Sequence, residues 1–246
     1  MFSKTDLLDQ IEKGLYQSWL MAFDTNDTPY VSMKPEYLTT VLLGRQLSDW
    51  LKTDQSNERY LVRFEERTKD VATRAFAPLP LPYTPRNVHG RAKKDTGEEG
   101  AVDLVIYKQV SFFPETVAVF EIKNFDQPDG LLEKDIARNI EFMELADPKK
   151  ANQIQYGVLT FFLHDKHSVT KEQASNFLSE KTAYFAQMIG QYSNPRISAS
   201  LTLKTLTNAP TLTHAEAAIE DEEGRPLIES EENHHIAYGV VLLERI

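Results

Sequence analysis

The sequence predicts an α/β fold, with a central mixed β-sheet flanked by helices. Segments in which apolar residues recur at helical spacing alternate along the chain with short, nearly continuous apolar runs. Runs of the second kind are typical of strands that are buried on both faces of a sheet. The chain has 246 residues, which is long enough to bury such a core. No internal repeat or linker is evident, and we expect one domain over residues 1–246.

The N-terminal part contains two predicted helices and three predicted strands. An amphipathic helix is expected at residues 3–21, where Ser3 is a suitable N-cap. A second helix is expected at residues 35–51. It can begin at Pro35, because proline is tolerated in a first helical turn. The strands are expected at residues 59–65, 101–107 and 117–123.

A proline-rich segment separates the first of these strands from the other two. Residues 76–100 are expected to be irregular, because repeated proline cannot form a central strand. The remaining elements are expected to be helices at residues 131–145 and 170–191 and strands at residues 156–163, 196–206 and 235–245.

The charge of the chain is acidic but unevenly distributed. The formal net charge of the whole chain, −10, argues against binding to nucleic acid. Much of the negative charge lies at residues 216–232, which are expected to be a solvated loop, with nucleic-acid mimicry or partner recruitment as alternatives. A basic run could contact a nucleic-acid backbone, or could be a solvated loop. Its members are Arg86, Arg91, Lys93 and Lys94.

Several classes of protein are excluded by composition. The chain has no cysteine, which excludes disulfides, cysteine nucleophiles and thiolate metal sites. No apolar run approaches the roughly 20 residues that span a bilayer. Acidic residues occupy the N-terminal segment where a signal peptide would be apolar. We therefore expect a cytoplasmic protein with no membrane partner.

The most informative pattern places charged residues in two apolar strands. Asp103 lies within the predicted strand at residues 101–107, and Glu121 and Lys123 end the strand at residues 117–123. Side chains two residues apart share one face of a strand, so Glu121 and Lys123 project together. If the two strands pair, all three side chains converge. Two carboxylates and a lysine suit Mg²⁺ or Mn²⁺ and the hydrolysis of a phosphodiester. The alternative is a buried Asp103–Lys123 ion pair, with Glu121 capping a strand end.

In this arrangement the sequence resembles the PD-(D/E)XK, or restriction-endonuclease-like, nucleases over roughly residues 35–163. The resemblance implies a restriction-endonuclease-like core with an N-terminal helix and C-terminal helix and strand additions at about residues 165–246. It further implies that Asp103, Glu121 and Ile122 form the metal site and that Lys123 is the catalytic lysine. Many members add a glutamate from the first core helix, for which Glu36 is the candidate and Glu65 the rival. Ala101 and Val102 replace the proline for which the family is named.

The helix that follows this motif could contact the substrate. Lys134 and Arg138 are four residues apart and therefore share a helix face. In the family this helix flanks the site, which implies contact with phosphate. The alternative is a solvated charged face.

The hypothesis that follows is a metal-dependent nuclease that acts on DNA in restriction, defence or repair, with a homodimer or a partner subunit as its expected assembly. One alternative is a catalytically silent nuclease-like fold that serves as a binding or regulatory subunit, which the net charge favours. Another is an unrelated α/β interaction protein, which requires that Asp103 and Glu121 do not meet in space.

Overall fold

A six-stranded mixed β-sheet with helices on both faces forms the centre of the protein. This confirms the α/β class expected from the sequence. The computed structural model describes residues 2–25, 35–53, 58–75, 100–110, 113–125, 129–145, 151–165, 171–192, 195–206 and 235–246.

The helices in these parts of the chain are α1 (Lys4–Thr25), α2 (Pro35–Thr53), α3 (Thr68–Arg74), α4 (Asp129–Glu144) and α5 (Lys171–Gly190). The strands are β1 (Tyr60–Arg67), β2 (Ala101–Val110), β3 (Phe113–Phe125), β4 (Tyr156–Asp165), β5 (Ile197–Thr205) and β6 (His235–Arg245). Each element expected from the sequence is present, with ends that differ by a few residues. Helix α3 was not predicted, because its 7 residues are too few to show apolar periodicity.

Strands β2 and β3 are longer than their apolar runs. The hairpin that joins them continues into polar sequence, where Lys108 of β2 is directly opposite Glu115 of β3. Opposite charges at such cross-strand positions stabilise the pairing of two strands. The apolar runs therefore marked the buried part of each strand rather than its full length.

The strands lie in the order β1-β2-β3-β4-β6-β5. The first three pair antiparallel, whereas β4 is parallel to β3 and is reached through α4. Strand β6 inserts between β4 and β5 and is antiparallel to both. Strands β2 and β3 thus have a neighbour on each side, and their central residues are apolar on both faces because helices cover both faces of the sheet.

Each face of the sheet has its own hydrophobic layer. Helices α1 and α2 cover one face through buried side chains that include Leu7, Ile11, Leu15, Leu43 and Leu47. Helices α3, α4 and α5 cover the other through Val71, Ile136, Ile140, Phe185 and Met188. The charged motif of β2 and β3 lies at the edge of this second layer.

The N-terminal helix begins as the sequence predicts. The Oγ of Ser3 accepts a hydrogen bond of 3.1 Å from the backbone N–H of Asp6, which makes Ser3 the N-cap of α1. Further along, α1 approaches α2 closely at Gly14, where an added Cβ would lie 2.8 Å from Cδ1 of Leu43. A side chain at this position would therefore require Leu43 or the helix backbone to shift. No helix within the described ranges combines the length and the apolar character needed to cross a membrane.

Candidate active site

Asp103 and Glu121 lie side by side on adjacent strands. The β2–β3 register pairs Leu104 with Phe120, and Asp103 and Glu121 are the next residues in that register. Oδ2 of Asp103 accepts a hydrogen bond of 2.7 Å from the backbone N–H of Ile122, which fixes its carboxylate beside β3. The two acids that the sequence singled out therefore lie together in space. The alternative of an unrelated α/β interaction protein required them to lie apart.

Strand alternation sends the motif residues to different faces. Glu121 and Lys123 project toward α4, where they contact its charged side chains. Ile122 projects into the opposite hydrophobic layer and is fully buried there. Ile122 can therefore contribute only its main-chain atoms to the site.

Helix α4 adds two charged side chains to the motif. Oδ2 of Asp135 is 3.4 Å from Nζ of Lys123, and Oδ1 is 3.3 Å from Nη2 of Arg138. The guanidinium of Arg138 in turn contacts Oε2 of Glu121. Nζ of Lys123 is also 4.0 Å from Oδ2 of Asp103. The site is thus a network of three carboxylates and two cations, held by β2, β3 and α4.

Glu121 is the most deeply buried acid of this network. Its exposed fraction is 0%, and neither carboxylate oxygen accepts a hydrogen bond from the described residues. Burial raises the pKa of Glu121 well above its ordinary value, and the Arg138 charge opposes this effect. A carboxyl in this environment becomes ionised only with a cation beside it.

Lys123 carries a stable positive charge. Burial disfavours that charge, but the carboxylates of Asp135, Asp103, Glu121 and Glu36 outweigh burial and raise the pKa of Lys123. Lys123 is therefore an ammonium group at neutral pH, which donates hydrogen bonds and does not accept a proton.

Both candidates for a further glutamate lie near the motif. Glu36 is in the first turn of α2, and its charge contributes to the raised pKa of Lys123. Glu65 lies between Phe64 and Glu66, which pair with Leu104 and Val102, so Glu65 faces Asp103 across the β1–β2 pair. Partial desolvation and the Asp103 charge raise the pKa of Glu65. Each glutamate is within electrostatic reach of the site.

The residues expected to bind nucleic acid have separate positions. Lys134 is exposed on α4, whereas Arg138 turns into the site, so the two do not act as one basic face. The solvated-face alternative describes Lys134 and is wrong for Arg138. The basic run at residues 86–94 and the acidic segment at residues 216–232 lie outside the described residues.

Asp135 is the site residue that the sequence did not reveal. On α4 it is one of several charged side chains, and only the packing of α4 over β3 buries it. Its spacing from Arg138 is that of a helical ion pair, which is common on exposed faces. No signal in the sequence distinguishes this pair from a surface pair.

The network fits a divalent cation in part. No described residue donates a hydrogen bond to the two buried oxygens of Glu121, and Asp103 lies beside them, which is the oxygen-rich environment that Mg²⁺ prefers. Within the described residues, no three acidic or histidine side chains are already arranged around one point as metal ligands. Lys123 and Arg138 instead supply the positive charge.

Comparisons of this chain with protein-family models, with curated proteins and with solved structures found no match.

Proposed function

We propose that this protein is a metal-dependent nuclease of the PD-(D/E)XK type, which hydrolyses phosphodiester bonds of DNA. The observation that carries the proposal is the convergence of Asp103, Glu121 and Lys123 near one end of two paired strands. An acid pair can hold a divalent ion that activates water, and a lysine beside it can position that water, so the combination suits this hydrolysis.

The order of elements supports the same proposal. Helix α2 precedes three antiparallel strands, and α4 connects the third strand to the parallel strand β4. This is the order that the resemblance to restriction-endonuclease-like proteins implies. The motif residues lie on β2 and β3, the strands on which that resemblance places them.

Asp103, Glu121 and the main chain of Ile122 would hold Mg²⁺ or Mn²⁺. When bound, such an ion lowers the pKa of water and polarises the phosphodiester. Either Glu36 or Glu65 would add a carboxylate from the neighbouring element.

The contribution of Lys123 follows from its charge. As an ammonium group it can donate hydrogen bonds to an attacking water and to a phosphate oxygen. Its charge also opposes the negative charge that develops on phosphorus during attack. Asp135 holds Nζ of Lys123 beside the carboxylates.

Cleavage of DNA tests this function. We would incubate single- and double-stranded DNA with Mg²⁺ or Mn²⁺ and compare the native protein with Lys123→Ala and Asp103→Ala. The expected result is metal-dependent cleavage that falls by roughly 100-fold or more in both variants. Lys52→Ala, an exposed lysine near the end of α2, is the matched control and should cleave like the native chain. Equal cleavage by all four proteins would place the activity elsewhere.

A second function, a binding or regulatory subunit, is favoured by one feature of the site. Arg138 and Lys123 already offset the charge of two of its three carboxylates, and the chain as a whole has a net charge of −10. Folded native protein that cleaves neither DNA nor RNA and binds no divalent ion would support this second function.

A further inference from the structure

A cation of the protein itself contacts Glu121, one of the proposed metal ligands. Nη2 of Arg138 contacts Oε2 of Glu121 and lies 3.3 Å from Oδ1 of Asp135. Because Glu121 is fully buried, its ionised form needs a positive partner beside it. The guanidinium therefore takes the position at Glu121 that a divalent cation would take.

Arg138 has the properties of a group that can leave this position. The exposed fraction of its side chain is 32%, so the side chain reaches from the buried carboxylate to the surface. Its Nε is buried and has no hydrogen-bond partner among the described residues, so the guanidinium is not fully engaged. Asp135, one turn earlier on α4, could retain the guanidinium after it leaves Glu121.

We propose that Arg138 is a displaceable counter-cation, which competes with the divalent ion for Glu121 and is then free to bind a phosphate oxygen of the substrate. The proposal rests on the proposed function for the identity of the ligands. Two cations cannot share the Oε2 position of Glu121, because their charges repel in a buried environment. Metal binding should therefore be weak in the free protein and stronger when a phosphate group receives the guanidinium.

Titration of Mn²⁺ by calorimetry, without nucleic acid, tests the competition. Arg138→Gln removes the competing charge and should bind Mn²⁺ about tenfold more tightly than the native protein. Arg45→Gln, an exposed arginine of α2, is the matched control and should bind like the native protein. Arg138→Lys retains the positive charge on a shorter side chain. Its affinity for Mn²⁺ should lie between those of the native protein and Arg138→Gln. Equal or weaker binding by Arg138→Gln, or no binding by any of these proteins, would overturn the proposal.

A phosphate diester tests the second half of the proposal. Dimethyl phosphate should increase the affinity of the native protein for Mn²⁺ and should leave that of Arg138→Gln unchanged. The same increase in both proteins would show that Arg138 does not receive the phosphate.

Two further observations separate this proposal from the proposed function and from misfolding. Without metal, Arg138→Gln should melt at a lower temperature than the native protein, because Glu121 loses its partner, and Mn²⁺ should reverse the loss. Tighter Mn²⁺ binding without any DNA cleavage would retain this proposal and reject the nuclease. DNA cleavage by the native protein, with unchanged Mn²⁺ affinity in Arg138→Gln, would reject this proposal and retain the nuclease.

Discussion

Nζ of Lys123 lies closer to Asp135, at 3.4 Å, than to Asp103, at 4.0 Å. The helix after the motif, and not the neighbouring strand, therefore supplies the nearest carboxylate to the candidate catalytic lysine. Among the carboxylates that raise the pKa of Lys123, Asp135 has the largest effect.

We expect Asp135→Asn to lower the pKa of Lys123. The substitution keeps the shape of the side chain but removes the negative charge that favours the ammonium form. The alkaline limb of any cleavage profile should move to lower pH for the same reason. Titration of ¹³C-labelled lysine side chains by NMR measures the pKa directly, and Glu133→Gln on the same helix is the control. An unchanged Lys123 titration would show that Asp135 does not set its charge.

Asn152 caps the C-terminal end of α4 and should be important for the stability of the folded protein. Its Nδ2 donates to the backbone carbonyls of Phe142, Met143 and Leu145 at 2.7–3.1 Å, and its Oδ1 accepts from the N–H of Ile154. We expect Asn152→Ala to lower the free energy of unfolding by about 2–3 kcal/mol, because buried carbonyls lose their donor.

Urea denaturation measures this change. Gln153→Ala, at the partly exposed neighbour, should change the free energy of unfolding by less than about 0.5 kcal/mol. An equal effect of the two substitutions would contradict a special contribution of Asn152.

Glu65 should be conformationally strained. It has a φ of 50°, in the left-handed region that favours glycine. We expect Glu65→Gly to raise or preserve the melting temperature and Glu65→Val to lower it, because a β-branched residue is least compatible with this φ. Thermal denaturation followed by circular dichroism compares the two. Destabilisation of similar size in both variants would indicate that the Glu65 carboxylate, and not its backbone, matters for folding.

Glu58 should contribute to the loss of stability in acid. Hydrogen bonds from Lys108 and Tyr60 lower its pKa from 4.5 to about 2. A carboxyl with a lowered pKa in the folded state stabilises the protein above pH 4.5, and this contribution disappears as the pH falls toward 2. The contribution is at most about 1 kcal/mol, because water screens the pair. Urea denaturation between pH 2 and pH 6 should show a shallower acid loss for Glu58→Gln; an identical slope would exclude Glu58 as a source.

Much of the architecture could be predicted because local patterns determine it. The continuous apolar run at 117–123 predicted a central strand, and β3 has neighbours on both sides. The period-two geometry of a strand predicted that Glu121 and Lys123 share a face, and both contact α4. Such features depend on residues that are close in the sequence.

Features that depend on packing between distant elements could not be predicted. Asp135 resembles a surface acid until α4 packs over β3. The same holds for Arg138, expected at a phosphate and found against Glu121. The unusual φ of Glu65 also has no sequence signal, since glutamate has no preference for it.

The position of β6 has a consequence for the newly synthesised chain. This strand fills the gap between β4 and β5 with buried side chains such as Val240 and Leu242, yet it is translated after both. Until it emerges from the ribosome, the edges of β4 and β5 that pair with β6 lack their partner, and unpaired strand edges promote aggregation. Chaperones that shield nascent apolar segments should therefore associate with this protein until residues 235–245 have been synthesised.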